Sequence, residues 1–341
     1  MTVHMPNFLV VGVPKAGTTA LHAALQRHPQ LFLPQVKEPK YFLTDGPPPT
    51  RGGPGDLKTY REHVWRRADY EALFAPAPAG TLTGECTPFY LYDRDAQRRI
   101  KAAIPDARLI VIVRDPVERA HSNWTHLWSA GLEPIGDVVR ACEEEGRRIA
   151  AGWAHFWHYV ALGRYGEQLA DLYELFPREQ VLVFRYRDLV DRPADTLDRI
   201  CGFLGVEQGL LTETPRENVT AHPDASPRHA LLSTARRLLP GALADPVEQL
   251  LQRRAAPRRP LTWEQRSQLI PYFTEDIKLL QRVTGEDFGD WLRPRERSGG
   301  LVGARPPGQR QSRNGRPARL EQPSPERPSP DQLSPPRPAE P

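Results

Sequence analysis

The chain is poor in cysteine. It has three in 341 residues, Cys86, Cys142 and Cys201, with no paired spacing. That set excludes a disulfide framework and a cysteine-built metal cluster, and it fits a reducing compartment. Long apolar runs are missing as well. No stretch approaches the roughly 20 residues needed to cross a bilayer. The run Phe8-Leu9-Val10-Val11-Gly12 near the start is too short for a signal peptide and follows no basic leader. A cytoplasmic location with no membrane span is therefore expected. An excess of charge is missing from the body of the chain. The formal net charge is +4, but from Arg295 onward nine arginines face five acidic residues, which is +4 by itself. The pI near 9.0 thus belongs to the C-terminal segment, and no nucleic-acid partner is expected. That segment has eleven prolines after residue 300 and no aromatic residue, so it cannot bury enough apolar area to offset the entropy of ordering. The division expected is one domain over 1–294 and a Pro/Arg-rich disordered tail over 295–341. No internal repeat is visible.

What is there starts with the apolar run itself. Five residues without a polar break read as a strand buried on both faces of a parallel sheet. Pro14-Lys15-Ala16-Gly17-Thr18-Thr19 follows at once and reads as a tight turn opening a helix, with Leu21, Ala24 and Leu25 on its inner face. A helix N-terminus offers unpaired N–H groups and a positive dipole end, and Lys15 adds a full charge at its mouth. The turn is a phosphate cradle. Further on, strands and helices alternate: a strand at Asn7–Val13, a Pro/Gly-rich loop over Gly46–Gly55 at the acceptor entrance, a helix over Arg94–Ala103, and a central strand at Leu109–Val113. A helix from Glu118 to about Ser129 and helical character over Glu143–Ala151 come next, then a helix over Gly166–Leu175 and a strand at Val181–Phe184. An amphipathic helix follows at Ala194–Leu204. Residues 207–260 give mixed signals and suit a helical lid or an insertion. Leu269, Phe273, Ile277 and Leu280 mark a last helix, and Trp291 closes the fold. The class is α/β, a P-loop-like central parallel sheet flanked by helices.

The cradle differs from a nucleoside triphosphate loop, which carries lysine directly before Ser/Thr. Thr18 stands in that place, and the only lysine, Lys15, lies inside the loop. A triphosphate site also needs magnesium held by an aspartate at a neighbouring strand end. The neighbouring strand ends in Arg114, followed by Asp115 and Pro116, with Arg119 close by. That end suits a second anion better than a metal. The ligand expected has two phosphate groups at separate places and needs no metal.

Taken together, these segments resemble the sulfotransferase family that uses 3′-phosphoadenosine 5′-phosphosulfate (PAPS). Pro14–Thr19 is similar to its 5′-phosphosulfate loop, and Val113 to Ser122 to its 3′-phosphate motif, in which an arginine and a serine eight positions later bind the 3′-phosphate. The likeness continues in Lys37-Glu38-Pro39-Lys40-Tyr41-Phe42, Glu85-Cys86-Thr87-Pro88-Phe89-Tyr90-Leu91, Gly163-Arg164-Tyr165, and from Phe176-Pro177 to Arg185–Leu189. Ala20-Leu21 follows the threonines where cytosolic phenol and steroid enzymes carry tryptophan, and the Lys-Glu-Pro-aromatic segment is closer to the heparan-type and bacterial branch. Only six of the 46 basic residues are lysine; with abundant Ala and Pro, this composition is associated with GC-rich bacterial genomes. An Arg-Lys-Gly segment that cytosolic members use on the 3′-phosphate is absent, and Arg216-Glu217-Asn218-Val219-Thr220 is the candidate substitute.

The resemblance implies a donor site of Lys15, Ala16, Gly17, Thr18, Thr19, Arg114, Ser122 and Tyr165. It makes Glu38 the general base and Lys15 the stabiliser of the leaving oxygen. Pro39 favours an extended backbone at Glu38. Lys37, Thr87 and Tyr90 are placed toward the acceptor, a hydroxyl of a small metabolite or glycan. Cys86 stands where heparan-type relatives use a lysine, which argues against a sugar polyanion. A sulfuryl group carries less negative charge than a phosphoryl group, so one lysine and helix-end amides can suffice without a metal. Simpler readings stand beside these. Glu38 between two lysines can be a surface ion pair, Arg114 can pair with Asp115 or Glu118, and Ser122 can be an ordinary helix hydroxyl. His121 is a second candidate base or packs beside Val117 and Trp124. His155 and His158 line an acceptor pocket or belong to the aromatic core around Trp153, Phe156 and Trp157. The competing functions are an ATP-dependent P-loop kinase and a non-catalytic nucleotide-binding protein.

Overall fold

The apolar run near the start forms β1 (Phe8–Gly12), and every residue of it is buried. The structure, a computed structural model, describes residues 5–43, 45–215 and 260–293. The proposed lid or insertion at 207–260 falls mostly outside the described residues. The tail over 295–341 and the Arg216–Thr220 segment fall wholly outside them.

Four more strands join β1: β2 (Leu31–Phe32), β3 (Leu82–Cys86), β4 (Arg108–Val113) and β5 (Val181–Arg185). Their order is β2-β3-β1-β4-β5, and every pairing is parallel. The chain leaves β1, builds β3 on one side of it, then crosses to build β4 on the other. The order reverses there, and in an open α/β sheet such a point leaves a crevice at the carboxyl ends of the strands. β2 and β3 are additions to the strands legible in the sequence. β3 hides because Thr83-Gly84-Glu85 interrupts its apolar character. Gly84 pairs with Phe8, and a Cβ on it would lie 2.2 Å from the Phe8 ring, so the strand needs glycine there.

Twelve helices are described: α1 (Thr18–Leu25), α2 (Asp56–Arg61), α3 (Arg67–Ala72), α4 (Arg94–Ala103), α5 (Pro116–Ser129), α6 (Val138–Glu143), α7 (Glu145–Ala150), α8 (Tyr165–Leu175), α9 (Tyr186–Asp191), α10 (Pro193–Leu204), α11 (Trp263–Leu269) and α12 (Thr274–Thr284). Leu21, Ala24 and Leu25 face inward on α1 as expected. α5 begins two residues before the expected Glu118. Asp115 caps it by accepting from the amides of Val117 (3.0 Å) and Glu118 (3.2 Å), and Pro116 fills the first helical position. The helical stretch expected at 143–151 is α7, and α6, which the sequence reading did not single out, ends at Glu143 just before it. The last expected helix is two, α11 and α12, separated by a 3₁₀ turn at Ile270–Tyr272 that contains Pro271.

The C-terminal helices lock the sheet end. Arg266 on α11 donates to the second Asp115 oxygen at 2.7 Å, and both side chains are buried. Asp276 on α12 accepts the amides of Gly166 and Glu167 at the start of α8, both at 2.9 Å. Trp291 is buried between Tyr165 and Phe288.

Candidate active site

The carboxyl ends of β1, β3, β4 and β5 carry the residues singled out from the sequence. After β1, Lys15 (φ 70°) and Gly17 (φ 82°) take left-handed backbone conformations. Ala16 and Thr18 are buried, while Lys15, Gly17 and Thr19 stay half-buried at the surface of the turn. Gly17 is the N-cap of α1 and no side chain caps it, so the helix presents its positive end to the turn. A Cβ on Gly17 would lie 2.7 Å from Cε2 of Tyr186. Tyr186 opens α9 just past β5, and its ring also lies under the Arg114 guanidinium, 5.1 Å away. Arg114 Nη1 in turn donates to the Lys15 carbonyl at 3.0 Å. The two anion motifs, 99 residues apart, are joined by one hydrogen bond.

Arg114 Nη2 meets Glu118 Oε2 at 3.4 Å, so the simple ion-pair reading of this arginine is present in the structure. Ser122 is half-buried and lies one turn beyond Glu118 on α5. It sits nearly two turns into the helix instead of one, because the Asp115 cap starts α5 early. Tyr165 is fully buried with its hydroxyl unpartnered among the described residues, as are Arg114 Nε and Arg119 Nε and Nη1. Burial pushes the Tyr165 hydroxyl up and the Arg119 guanidinium down, and Tyr165 lies within electrostatic reach of Arg119, Asp115 and Arg114. Orphaned donors beside a strand-end arginine fit a ligand anion. Asp115, by contrast, has both oxygens committed to the α5 cap and to Arg266.

The Lys37–Lys40 segment corrects one expectation. Glu38 is not extended before Pro39. It has φ 59°, and Lys40 has φ 57°. Lys15, Glu38 and Lys40 are the only non-glycine residues with positive φ among those described, and such conformations cost about 1–3 kcal/mol each. The end of β3 holds them in place. The Glu38 amide donates to the Cys86 carbonyl at 3.1 Å, and the Lys40 amide to Thr87 Oγ1 at 3.3 Å. Lys37 Nζ donates to Glu38 Oε1, while Lys40 Nζ stands 3.9 Å from Oε2. The Glu38 carboxylate keeps about a quarter of its surface exposed. Burial opposes the Lys37 charge, but Cys86, Glu38 and Glu85 outweigh it and hold its pKa above the ordinary lysine value.

Thr87 and Tyr90, expected toward the acceptor, point into the interior instead of into solvent. Both are fully buried beside Glu85, a carboxylate that is itself 0% exposed near the end of β3. Glu85 accepts from Thr87 Oγ1 (2.8 Å) and from Tyr70 OH on α3 (3.0 Å), and Tyr90 lies within electrostatic reach. Burial pushes its pKa up to about 7 against the pull of these three hydroxyls.

Aromatic side chains and neutral imidazoles surround the segment. Lys40 Nζ lies 5.9 Å from the Phe89 ring, Phe89 meets Phe156, and Phe156 meets His126. His126 is pushed down to about 4 by burial, with Lys15 adding to the shift and Glu38 opposing it, so it is within electrostatic reach of both candidate catalytic groups. His63 is pushed down to about 4 by burial, then by Lys40 and His155. His155 keeps a third of its surface exposed, and desolvation still takes it down to about 4. His158 is buried and held between Tyr92 OH (2.9 Å) and the Trp153 carbonyl (3.2 Å). His121 is buried with its ring 5.7 Å from Trp124, the packing alternative for that residue. Asp56 fixes the end of the Gly46–Gly55 loop by accepting from Gly53 N (2.5 Å), Ala154 N (2.8 Å) and Trp157 Nε1 (2.9 Å).

Sequence reasoning gave no role to Tyr186, Glu85, Tyr70, His126 or Asp56. Tyr186 and Glu85 fall within segments whose family likeness was legible. Tyr70, His126 and Asp56 act through contacts between distant segments and leave no local pattern.

A family model described as "Sulfotransferase family" matches residues 6–209. Heparan sulfate glucosamine 3-O-sulfotransferase 3B1 of Mus musculus is 31% identical over 210 residues, which covers 61% of this chain and 48% of that one. Carbohydrate sulfotransferase 15 of Mus musculus is 25% identical over 276 residues, covering 65% and 48%. The chain thus spans about half the length of these curated relatives. The crystal structure of a sulfotransferase from Alicyclobacillus acidocaldarius superposes with a TM-score of 0.67 at 26% identity, over 85% of this chain and 99% of that one. With the match covering residues 6–209 and its cradle, strand-end arginine and glutamate segment, the chain belongs to the sulfotransferase family.

Proposed function

We propose that the chain transfers the sulfuryl group of PAPS to a hydroxyl of a small metabolite or glycan. The observation that carries this reading is the Arg114–Lys15 carbonyl contact, which joins the helix-end cradle to the strand-end arginine at the sheet's switch point. In this reading the Lys15–Thr19 turn receives the 5′-phosphosulfate, and Arg114 with Ser122 receives the 3′-phosphate. Tyr165 supplies a further donor. A buried arginine–phosphate contact is worth about 1.5–3 kcal/mol. The acceptor oxygen attacks sulfur in line as the bond from sulfur to the bridging oxygen breaks. Glu38 takes the hydroxyl proton, for which general-base catalysis contributes about 10²–10⁴ in rate. Lys15 meets the charge that builds on the leaving oxygen, and removing such a donor costs about 10²–10³.

The relatives' names point to glycans. The surroundings of Glu38 favour an acceptor of low charge. Cys86 is buried, and burial pushes its thiol up to about 12, so it is neutral where heparan-type relatives carry a lysine's positive charge. The nearby histidines are neutral at neutral pH. A location in the cytoplasm belongs to the same proposal. The test is a mass-spectrometric screen of hydroxyl compounds, glucosamine glycans included, with purified chain and PAPS. The expected result is an added sulfuryl mass that disappears with Glu38→Gln and Lys15→Ala. A phosphoryl mass that depends on ATP and magnesium would favour the kinase, and PAPS binding without any turnover would favour a nucleotide-binding protein.

A further inference from the structure

We infer that Glu85 is the positioning residue of the Glu38 segment, acting through Thr87 and Tyr90. The inference rests on Glu38 being the base. Above its pKa of about 7 Glu85 is an ionised carboxylate, which only accepts hydrogen bonds, so the hydroxyls that meet it then point their protons toward it. Thr87 does so at 2.8 Å, and its remaining lone pair then faces the Lys40 amide at 3.3 Å. Tyr90 lies within electrostatic reach of Glu85, and its oxygen accepts the Phe42 amide at 3.4 Å. The Cys86 carbonyl, next to Glu85 in the strand, accepts the Glu38 amide at 3.1 Å. The end of β3 thereby grips residues 38, 40 and 42 in alternation. Two of the gripped residues, Glu38 and Lys40, hold left-handed backbone conformations, and such conformations persist only where the surroundings over-determine them. Tyr70 on α3 fixes the other Glu85 oxygen at 3.0 Å. The carboxylate therefore orients the two hydroxyls without touching either substrate.

The test is amide hydrogen exchange over residues 37–43 in wild type and in Thr87→Val, Thr87→Ser and Glu85→Gln. Each chain is also titrated with 3′-phosphoadenosine 5′-phosphate. Losing one hydrogen bond should speed exchange in this segment about 3–10-fold in Thr87→Val and Glu85→Gln. Thr87→Ser keeps the hydroxyl and should match wild type, and nucleotide affinity should hold in all four. With the acceptor found in the mass screen, kcat should follow the same order while KM for PAPS stays constant. Unchanged exchange in Thr87→Val overturns the inference, as does a Thr87→Ser variant as loose as Thr87→Val, or loss of nucleotide affinity in step with exchange. Glu38→Gln with a full transfer rate overturns it through the base assignment. Failure of wild type to bind the nucleotide overturns the donor reading alone, because the exchange result stands apart from it.

Discussion

Gly17 shows what a single residue contributes here. It stands at φ 82° with the Tyr186 ring 2.7 Å from where a Cβ would lie, so both backbone and space demand glycine. Gly17→Ala should lose about 1–3 kcal/mol in urea unfolding and weaken the turn that carries Lys15. An alanine variant as stable as wild type would contradict that geometry. This glycine was legible because the turn follows an unbroken apolar strand, which leaves few ways to read Pro14–Thr19. Glu38 was legible in identity but not in backbone. The rule for residues before proline points to extended structure, and the left-handed form is instead imposed by Cys86, Thr87 and Glu85, more than 45 residues away in sequence. Glu85 was given no role for a similar reason. A glutamate in a strand reads as a surface residue, and only the convergence of Tyr70, Thr87 and Tyr90 makes its burial tolerable.

Among the elements, the apolar strands and amphipathic helices were read to within two or three residues, since burial on both faces or on one leaves a periodic trace. Connections held by single polar residues left none. The Gly46–Gly55 loop was expected at the acceptor entrance, and the structure ties its end down through Asp56, which accepts from Gly53, Ala154 and Trp157. Asp56→Ala leaves these donors without that partner and should cost about 1–3 kcal/mol. It should also release the loop, so that trypsin cuts after the exposed Arg51 faster than in wild type, as followed by mass analysis of a limited digest. Equal cutting rates would show that the loop is held by something other than Asp56. The Asp115–Arg266 pair has a parallel part, because it ties the start of α5, and with it Arg114, to the C-terminal helices.

At the scale of the whole molecule, five side chains govern the response to acid. His22, His63, His126, His155 and His158 are each lowered from 6.5 to about 4, burial being the first cause in every case. Between those values the unfolded chain binds protons that the native one does not, so stability is full above 6.5 and is lost as pH falls toward 4. Four carboxylates oppose this, and two of them, Asp93 and Glu145, are raised by burial above their ordinary values. Glu85 is raised from 4.5 to about 7 and Asp276 from 3.8 to about 6, both by burial, and each favours the native state as pH falls through its own window. The five histidines, each lowered from 6.5 to about 4, outweigh the four carboxylates, only two of which move far enough to reach about 6 or 7. Scanning calorimetry should show the unfolding midpoint falling by at least about 3 °C from about pH 7 to about pH 5, roughly 1 kcal/mol for a domain of this size. A rising midpoint would contradict the burial of these rings. The sheet order β2-β3-β1-β4-β5 sets the frame for the chemistry, since it brings the Lys15 turn and the Arg114 strand end to one crevice. The most direct check on that arrangement is calorimetric titration of 3′-phosphoadenosine 5′-phosphate, in EDTA, into wild type and Arg114→Ala. The account predicts one-site binding without any divalent ion, weakened about 10–150-fold by the substitution. Binding that requires magnesium, or an Arg114→Ala variant with wild-type affinity, would contradict it.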